Sequence, residues 1–243
     1  MAEALLAAEG LTKRFGGVYA NRDVSFAIGR GEIVGLIGPN GAGKTTLFNL
    51  VTGFIRPDSG VVRFAGVDVT RMRPDRLCHL GVARTFQILK PFPRLTVEEN
   101  VMIGALTRGG GIARAREEAR RCLALVGLDH KSGVLARGLS TGQRKRLEMA
   151  RALATKPQLL LLDEITGGVD QPSIPGLIEL VGRLRAEGVT LLVIEHNMRV
   201  IMGLADRVVF LHLGEKLAEG TPEEIASHPE VVALYLGRQH ERA

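Results

Sequence analysis

Three short apolar runs punctuate the chain: Ile33-Val34-Gly35-Leu36-Ile37, residues 159–162, and Thr190–Ile194. Runs this short, without polar alternation, predict strands covered on both faces, as in a parallel sheet with crossover helices. Each run empties into polar residues: a glycine-rich turn after Ile37, Asp163-Glu164 after Leu162, and Glu195-His196 after Ile194. In open α/β sheets, ligands bind beyond the carboxyl ends of the strands. Further strand candidates, such as Gly60-Val61-Val62-Arg63-Phe64, crowd the chain before about residue 65. Residues 97–126 read mostly helical, interrupted at Gly109-Gly110-Gly111, and about 88–155 is expected to form a helical subdomain inserted between strands. Residues 208–220 predict a hairpin turning at Gly214-Glu215. Thr221-Pro222-Glu223-Glu224 predicts a helix start, with Thr as cap, Pro in the first position and Glu224 closing a capping box. That motif is structural.

Composition narrows the picture without choosing a function. The chain has 243 residues, 45% hydrophobic and 24% charged, which suits one globular domain with a subdomain set into it. It has no tryptophan and only 4% aromatics, which argues against a stacking surface for single-stranded nucleic acid. A net charge of +6 favours anionic partners in general: nucleotide, lipid headgroups or nucleic acid. Arg114, Arg116, Arg120 and Arg121 interleave with Glu117 and Glu118, which reads as a solvated helix face. Cys78 and Cys122 lack metal-ligand spacing and are expected to be free thiols. No apolar run approaches the ~20 residues that span a bilayer, and the first residues lack a secretory pattern. The chain is therefore expected to be soluble and to reach a membrane only through a partner or its surface.

The chemistry lies at the strand ends. Gly38-Pro39-Asn40-Gly41-Ala42-Gly43-Lys44-Thr45 matches GxxxxGK[ST] in full. Glycines let the backbone approach phosphate oxygens, and successive N–H groups converge at a helix N-terminus. Lys44 supplies a point charge, and Thr45 a hydroxyl for Mg²⁺. The candidate ATP-binding set here is Gly38, Asn40, Gly41, Gly43, Lys44, Thr45 and Thr46. The alternative, a glycine-rich turn with an incidental Lys-Thr, fits poorly with a buried strand before it and a helix expected over 46–51 after it. Asp163, closing its apolar strand, is a candidate Mg²⁺ ligand, and Glu164 a candidate base for water. Alone, the pair would read as solvated strand-end acids. Paired with a phosphate loop it reads as catalytic.

With these motifs in view, the chain resembles the nucleotide-binding subunit of an ABC transporter along nearly its whole length. The most specific piece is Leu139-Ser140-Thr141-Gly142-Gln143, similar to the family signature LSGGQ and leading into a helix over 144–153. The resemblance implies an α/β fold: a mostly parallel nucleotide-binding core sheet, an antiparallel β subdomain and the inserted helical subdomain. It implies that Ser140 and Gly142 reach the ATP of a second ABC ATPase subunit, homo- or heteromeric. A merely capped helix start is the alternative. Gln87, in Arg84-Thr85-Phe86-Gln87, resembles the glutamine that meets Mg²⁺, and His196 the switch histidine at the γ-phosphate. Phe15 resembles the aromatic that stacks on adenine, with a core phenylalanine as the rival reading. Asp170 stands where the family's inter-subunit aspartate loop lies. Three positions depart from the pattern: Thr141 for glycine, Ile165 for proline, and Gly167-Gly168-Val169-Asp170 for Ser-Ala-Leu-Asp. They bear on dimer tightness and turnover rather than reaction class.

The wording is most similar to importers of branched-chain amino acids, in Phe15-Gly16-Gly17-Val18-Tyr19-Ala20, residues 81–87, Ile194-Glu195-His196-Asn197-Met198 and residues 217–224. This implies transmembrane permease subunits, an extracytoplasmic solute-binding protein, and a peripheral place on the cytoplasmic face of the membrane. A lipopolysaccharide-export ATPase shares much of the wording. A soluble ABC ATPase acting on DNA or ribosomes would carry coiled coils or a second ATPase domain, and an ATP-gated binding module would lack Glu164. No nucleic-acid partner is expected.

Overall fold

The computed structural model describes residues 4–86 and 91–236. In chain order it builds β1 (Leu6–Phe15), β2 (Val18–Ile28), β3 (Ile33–Ile37), α1 (Lys44–Val51), β4 (Ser59–Phe64), β5 (Val67–Asp68), α2 (Pro74–Leu80) and β6 (Val82–Arg84). There follow α3 (Val97–Leu106), α4 (Gly111–Val126), α5 (Thr141–Leu153), β7 (Leu159–Asp163), α6 (Ile174–Ala186) and β8 (Thr190–Ile194). The chain continues through α7 (Met198–Leu204), β9 (Arg207–His212), β10 (Glu215–Gly220), α8 (Pro222–Ser227) and α9 (Pro229–Leu236). Two compact units result. One comprises the described chain up to Arg73 and from Leu192; the other is Pro74–Leu191. Among the described residues, no helix is long and apolar enough to cross a membrane.

In the first unit, Gly16-Gly17 turns β1 into β2, a two-residue connection that suits glycine's access to positive φ. β1 is the centre of an antiparallel sheet ordered β2-β1-β4-β5, with Leu6 opposite Ile28 on one side and Phe64 on the other. This is the antiparallel part of the expected fold. β3 is buried at all five positions. It runs parallel to β9, Val34 to Ile37 facing Arg207 to Phe210, and β10 adds antiparallel to β9. Gly35 lets α7 close on β3: a Cβ there would meet Ile201 at 3.1 Å. Ile37, Ile201, Val208, Phe210, Ile225 and Val231 form the resulting core. The hairpin at Gly214 and the Thr221–Glu224 capping box are present as expected.

In the second unit β6 runs parallel to β7, with Val82 opposite Leu159 and Arg84 opposite Leu161. Helices α3, α4 and α5 pack on one another. Val97, Val101 and Ala105 give α3 a buried stripe at four-residue spacing, and Ala115, Ala119, Cys122 and Val126 give α4 one at spacings of four, three and four. A Cβ on Gly104 would lie 2.3 Å from the Arg151 carbonyl oxygen, so α3 and α5 approach backbone to backbone. Helix α5 begins at Thr141, three residues earlier than expected. Ser140 is its N-cap and Gln143 completes a capping box, so the signature segment is itself the first helical turn. Likewise α1 begins at Lys44, before the expected Thr46. The arginine-rich face of α4 is a set of surface ion pairs: Arg120 with Glu98 at 2.8 Å and Arg121 with Glu118 at 2.8 Å. Cys78 and Cys122 are free, and burial pushes the Cys122 thiol up to about 12.

Candidate nucleotide site

The phosphate loop is a backbone object. β3 delivers the chain into Gly38 at φ 149°, Gly41 at 80° and Gly43 at 98°. Glycine is required for space as well as angle. A Cβ on Gly38 would sit 2.1 Å from the Leu211 carbonyl oxygen, and one on Gly43 would sit 2.1 Å from that of Ala20. The side chain of Lys44 is buried and folds back along the loop, donating to the carbonyls of Gly38 at 2.8 Å and Pro39 at 2.9 Å. Gly43 is the N-cap of α1, so no side chain caps the helix, and its first turn holds no acid. A helix start of this kind presents backbone N–H groups and the positive end of its dipole to an anion. Asn40 and Thr45 are exposed there, and Thr46 is half-buried.

Sequence reasoning missed Asn21. It is fully buried under the loop and donates to the Gly43 carbonyl at 3.4 Å, while its own Oδ1 finds no partner among the described residues. Nothing local distinguishes it from other strand asparagines, because its contact is made 22 residues away. In the same unit Phe15 ends β1 half exposed, at 51%, with the Lys13 ammonium 5.6 Å above its ring. It is not a core phenylalanine. His196 lies exposed just after β8, and the following Asn197 caps α7.

The second unit holds the carboxylates. Asp163 closes β7, and its buried carboxylate faces the Arg84 guanidinium at 3.5 Å. Its N–H donates to the Thr85 hydroxyl at 3.0 Å. Desolvation lowers the pKa of Arg84, against the pull of Asp163 and Glu148. Glu164 leaves the strand at φ 49°, a left-handed conformation unusual for a residue with a Cβ. Its carbonyl accepts from Gly167 N–H at 3.2 Å and from the buried ammonium of Lys145 on α5. Three residues along the same helix, Glu148 accepts the Phe86 N–H at 2.9 Å. Burial pushes the Glu148 carboxyl up to about 7, against the lowering effects of that bond and of Arg151, Lys145 and Arg84.

Thr85, Arg84, Lys145 and Glu148 thus surround the Asp163-Glu164 corner, and sequence reasoning gave none of them a role. Gln87 lies outside the described residues. Ser140 is occupied as a cap, accepting from Gln143 N–H at 3.3 Å, while Gly142 is half-buried. Asp170 accepts from the Ser173 hydroxyl at 2.8 Å.

Among the described residues no cluster of three or more His, Cys, Asp or Glu could cage a metal ion. Each unit by itself offers an oxygen of the kind that hard cations prefer, the Thr45 hydroxyl in one and the Asp163 carboxylate in the other. Mg²⁺ is such an ion.

Known proteins share this fold. Residues 21–167 match the family model described as ABC transporter, and residues 215–241 match that of the branched-chain amino acid ATP-binding cassette transporter. The chain is 38% identical to the high-affinity branched-chain amino acid transport ATP-binding protein LivG of Salmonella typhimurium, covering 98% of this chain and 99% of LivG. It is 36% identical to BraF of Pseudomonas aeruginosa over the same shares. The ADP conformation of the cassette MJ1267 superposes with a TM-score of 0.88 at 34% identity, covering 97% of this chain and all of that one. The dimeric post-hydrolysis cassette MJ0796, bound to ADP and Pi, superposes at 0.80 with 28% identity, covering 89% and 98%. On these matches and this fold, the chain belongs to the ABC transporter family, as a nucleotide-binding subunit that hydrolyses ATP.

Proposed function

We propose that this subunit drives import of branched-chain amino acids or related small polar solutes, as the peripheral ATPase of a complex with transmembrane permeases. The observation that carries this reading is the near-full-length similarity to LivG and BraF, extended by the family match over residues 215–241. The complex would sit on the cytoplasmic face of the membrane and receive solute from an extracytoplasmic binding protein.

In this reading ATP is held by the phosphate loop: the N–H groups after Gly38, Asn40, Gly41 and Gly43, the Lys44 ammonium, and Thr46, with Phe15 against the adenine. Thr45, Asp163 and Gln87 would hold Mg²⁺, which supplies positive charge to the phosphates. Glu164 orients a water and takes its proton as the water oxygen bonds to the γ-phosphorus. The bond from that phosphorus to the bridging oxygen breaks, giving ADP and phosphate. Lys44 and His196 stabilise the charge that develops on the transferred group. Ser140 and Gly142 act on the nucleotide of a second ATPase subunit, so that ATP favours a closed dimer and its loss an open one. The sense of the reaction is mechanical: each hydrolysis resets a shape.

Glu164→Gln should lower ATP turnover by ~10²-fold or more while nucleotide still binds. In cells it should abolish energised uptake of labelled leucine, isoleucine and valine. Normal turnover in that variant would remove Glu164 from the mechanism. Lost turnover with undiminished uptake of all three would overturn the cargo.

A further inference from the structure

The face of α5 that carries Lys145 and Glu148 does not use those side chains as a surface. Lys145 is buried at 7% exposure, although an ammonium is among the groups least often buried without a purpose. It reaches the main-chain carbonyl of Glu164. The place it reaches is a bend with an unusual backbone. At φ 49° Glu164 turns out of the line of β7, and its carbonyl also accepts Gly167 N–H, closing a short turn. The backbone conformation of a residue sets the direction of its Cα–Cβ bond and limits which rotamers its side chain can take. Whatever holds Glu164 in the left-handed region therefore also limits where its carboxylate can reach. That carboxylate already lies close along the turn, with Oε2 only 3.4 Å from where a Cβ on Gly167 would be.

We propose that Lys145 is a positioning residue for ATP hydrolysis: from the helix that begins with the signature segment, it clamps the backbone of Glu164 and so sets the aim of the water-activating carboxylate. The inference rests on the assignment of Glu164 made above. Its consequence is that α5 carries two devices on one element. Ser140 and Gly142 open its first turn, and Lys145, one turn on, grips the corner after β7. Any tilt or shift of α5 within its unit is then transmitted to Glu164 through a charged contact. Glu148 gives the same helix a second grip, on the Phe86 N–H after β6, and its carboxylate lies close enough to Lys145 to feel its charge. Lys145 and Glu148 hold the ends of two neighbouring parallel strands, so a single helix fixes the corner that carries Asp163 and Glu164 from one side.

The test uses the full chain with MgATP and four variants: Lys145→Met, which keeps the length of the stem and removes its donor; Lys145→Gln, which restores a neutral donor; Glu164→Gln; and the double variant Lys145→Met/Glu164→Gln. Lys145→Met is expected to lower kcat about tenfold or more, because small errors in aim are costly in catalysis, while KM for ATP stays within about twofold. Lys145→Gln is expected to recover most of the loss, though not all. In the Glu164→Gln background, Lys145→Met is expected to cost nothing further, since the residue it positions is already disabled. A Lys145→Met enzyme that turns over within twofold of the parent overturns the proposal. So does a loss that repeats in full on the Glu164→Gln background, or one shared equally by kcat and nucleotide affinity. If Lys145→Met does not fold, Lys145→Gln decides in its place. A fall in its kcat at parental KM that vanishes on the Glu164→Gln background supports the clamp; parental kcat, or a fall that repeats on that background, overturns it. Full turnover in Glu164→Gln alone would instead remove the functional assignment beneath the proposal, whereas a disabled Glu164→Gln beside a normal Lys145→Met removes the clamp and leaves that assignment standing.

Discussion

The phosphate loop and the carboxylate corner solve the same problem, holding polar groups still, in opposite ways. The loop does it with main chain. Its glycines bring carbonyls and N–H groups so close to neighbouring backbone that a single methyl has no room, as at Gly38 and Gly43. The corner does it with side chains. Arg84 and Thr85 at the end of β6, and Lys145 and Glu148 on α5, surround Asp163 and Glu164 with polar and charged groups. A backbone device is rigid and intolerant of volume. A side-chain device is tolerant of volume and sensitive to charge. The difference predicts which substitutions hurt, and in which measurement.

The largest effect is expected at Gly43→Ala. A Cβ would stand 2.1 Å from the Ala20 carbonyl oxygen, at a backbone angle that alanine resists. Nucleotide binding, followed by titration with a fluorescent ATP analogue, should be lost, and the melting temperature should fall. Retained binding would break the contrast on the loop's side. A smaller effect is expected at Arg84→Met, which keeps volume and removes the guanidinium 3.5 Å from the Asp163 carboxylate. Removing one partner of a buried ion pair costs about 3 kcal/mol, read by urea denaturation. An unchanged midpoint would show that charge is not what the corner needs.

The smallest effect is expected at Glu148→Gln, and it depends on pH. The folded-state pKa of Glu148 is raised from 4.5 to about 7, chiefly by burial. The folded protein therefore binds this proton more tightly than the unfolded chain. The stabilising contribution is full below about pH 4.5 and is lost as the pH climbs through 7. Glu148→Gln cannot ionise, so its stability should lack this decline, and at pH 8 it should exceed the parent by at most about 3 kcal/mol, an upper bound that solvent screening lowers. Parallel pH–stability curves for the two proteins would sink the account of Glu148 as a carboxyl held in a poorly hydrated place.

The same contrast separates what is legible in the sequence from what only folding brings together. The loop is legible because its residues are contiguous: the eight that match GxxxxGK[ST] run from the end of β3 into the first turn of α1. The hairpin at Gly214 and the capping box at Thr221 are legible for the same reason. The corner is legible only in its two carboxylates. Its other members act across long separations, 62 residues from Phe86 to Glu148 and 19 from Lys145 to Glu164, and no spacing rule announces them. Lys145 reads in sequence as one more surface cation on a polar helix; burial alone reveals its use. The start of α5 is expected three residues too late for a more avoidable reason. A capped helix start is weighed there only as a rival to the nucleotide signature, whereas Ser140 and Gln143 close a capping box within that same segment.

The absence of a side-chain cap on α1 has one more consequence. No side chain competes for the start of that helix, and an anion that bound there in the folded chain alone would link stability to occupancy by mass action. At a nucleotide concentration one hundred times its dissociation constant, such linkage adds about 2.7 kcal/mol. Under that linkage a filled subunit would melt at a higher temperature than an empty one, and nucleotide would act as part of what holds the chain folded.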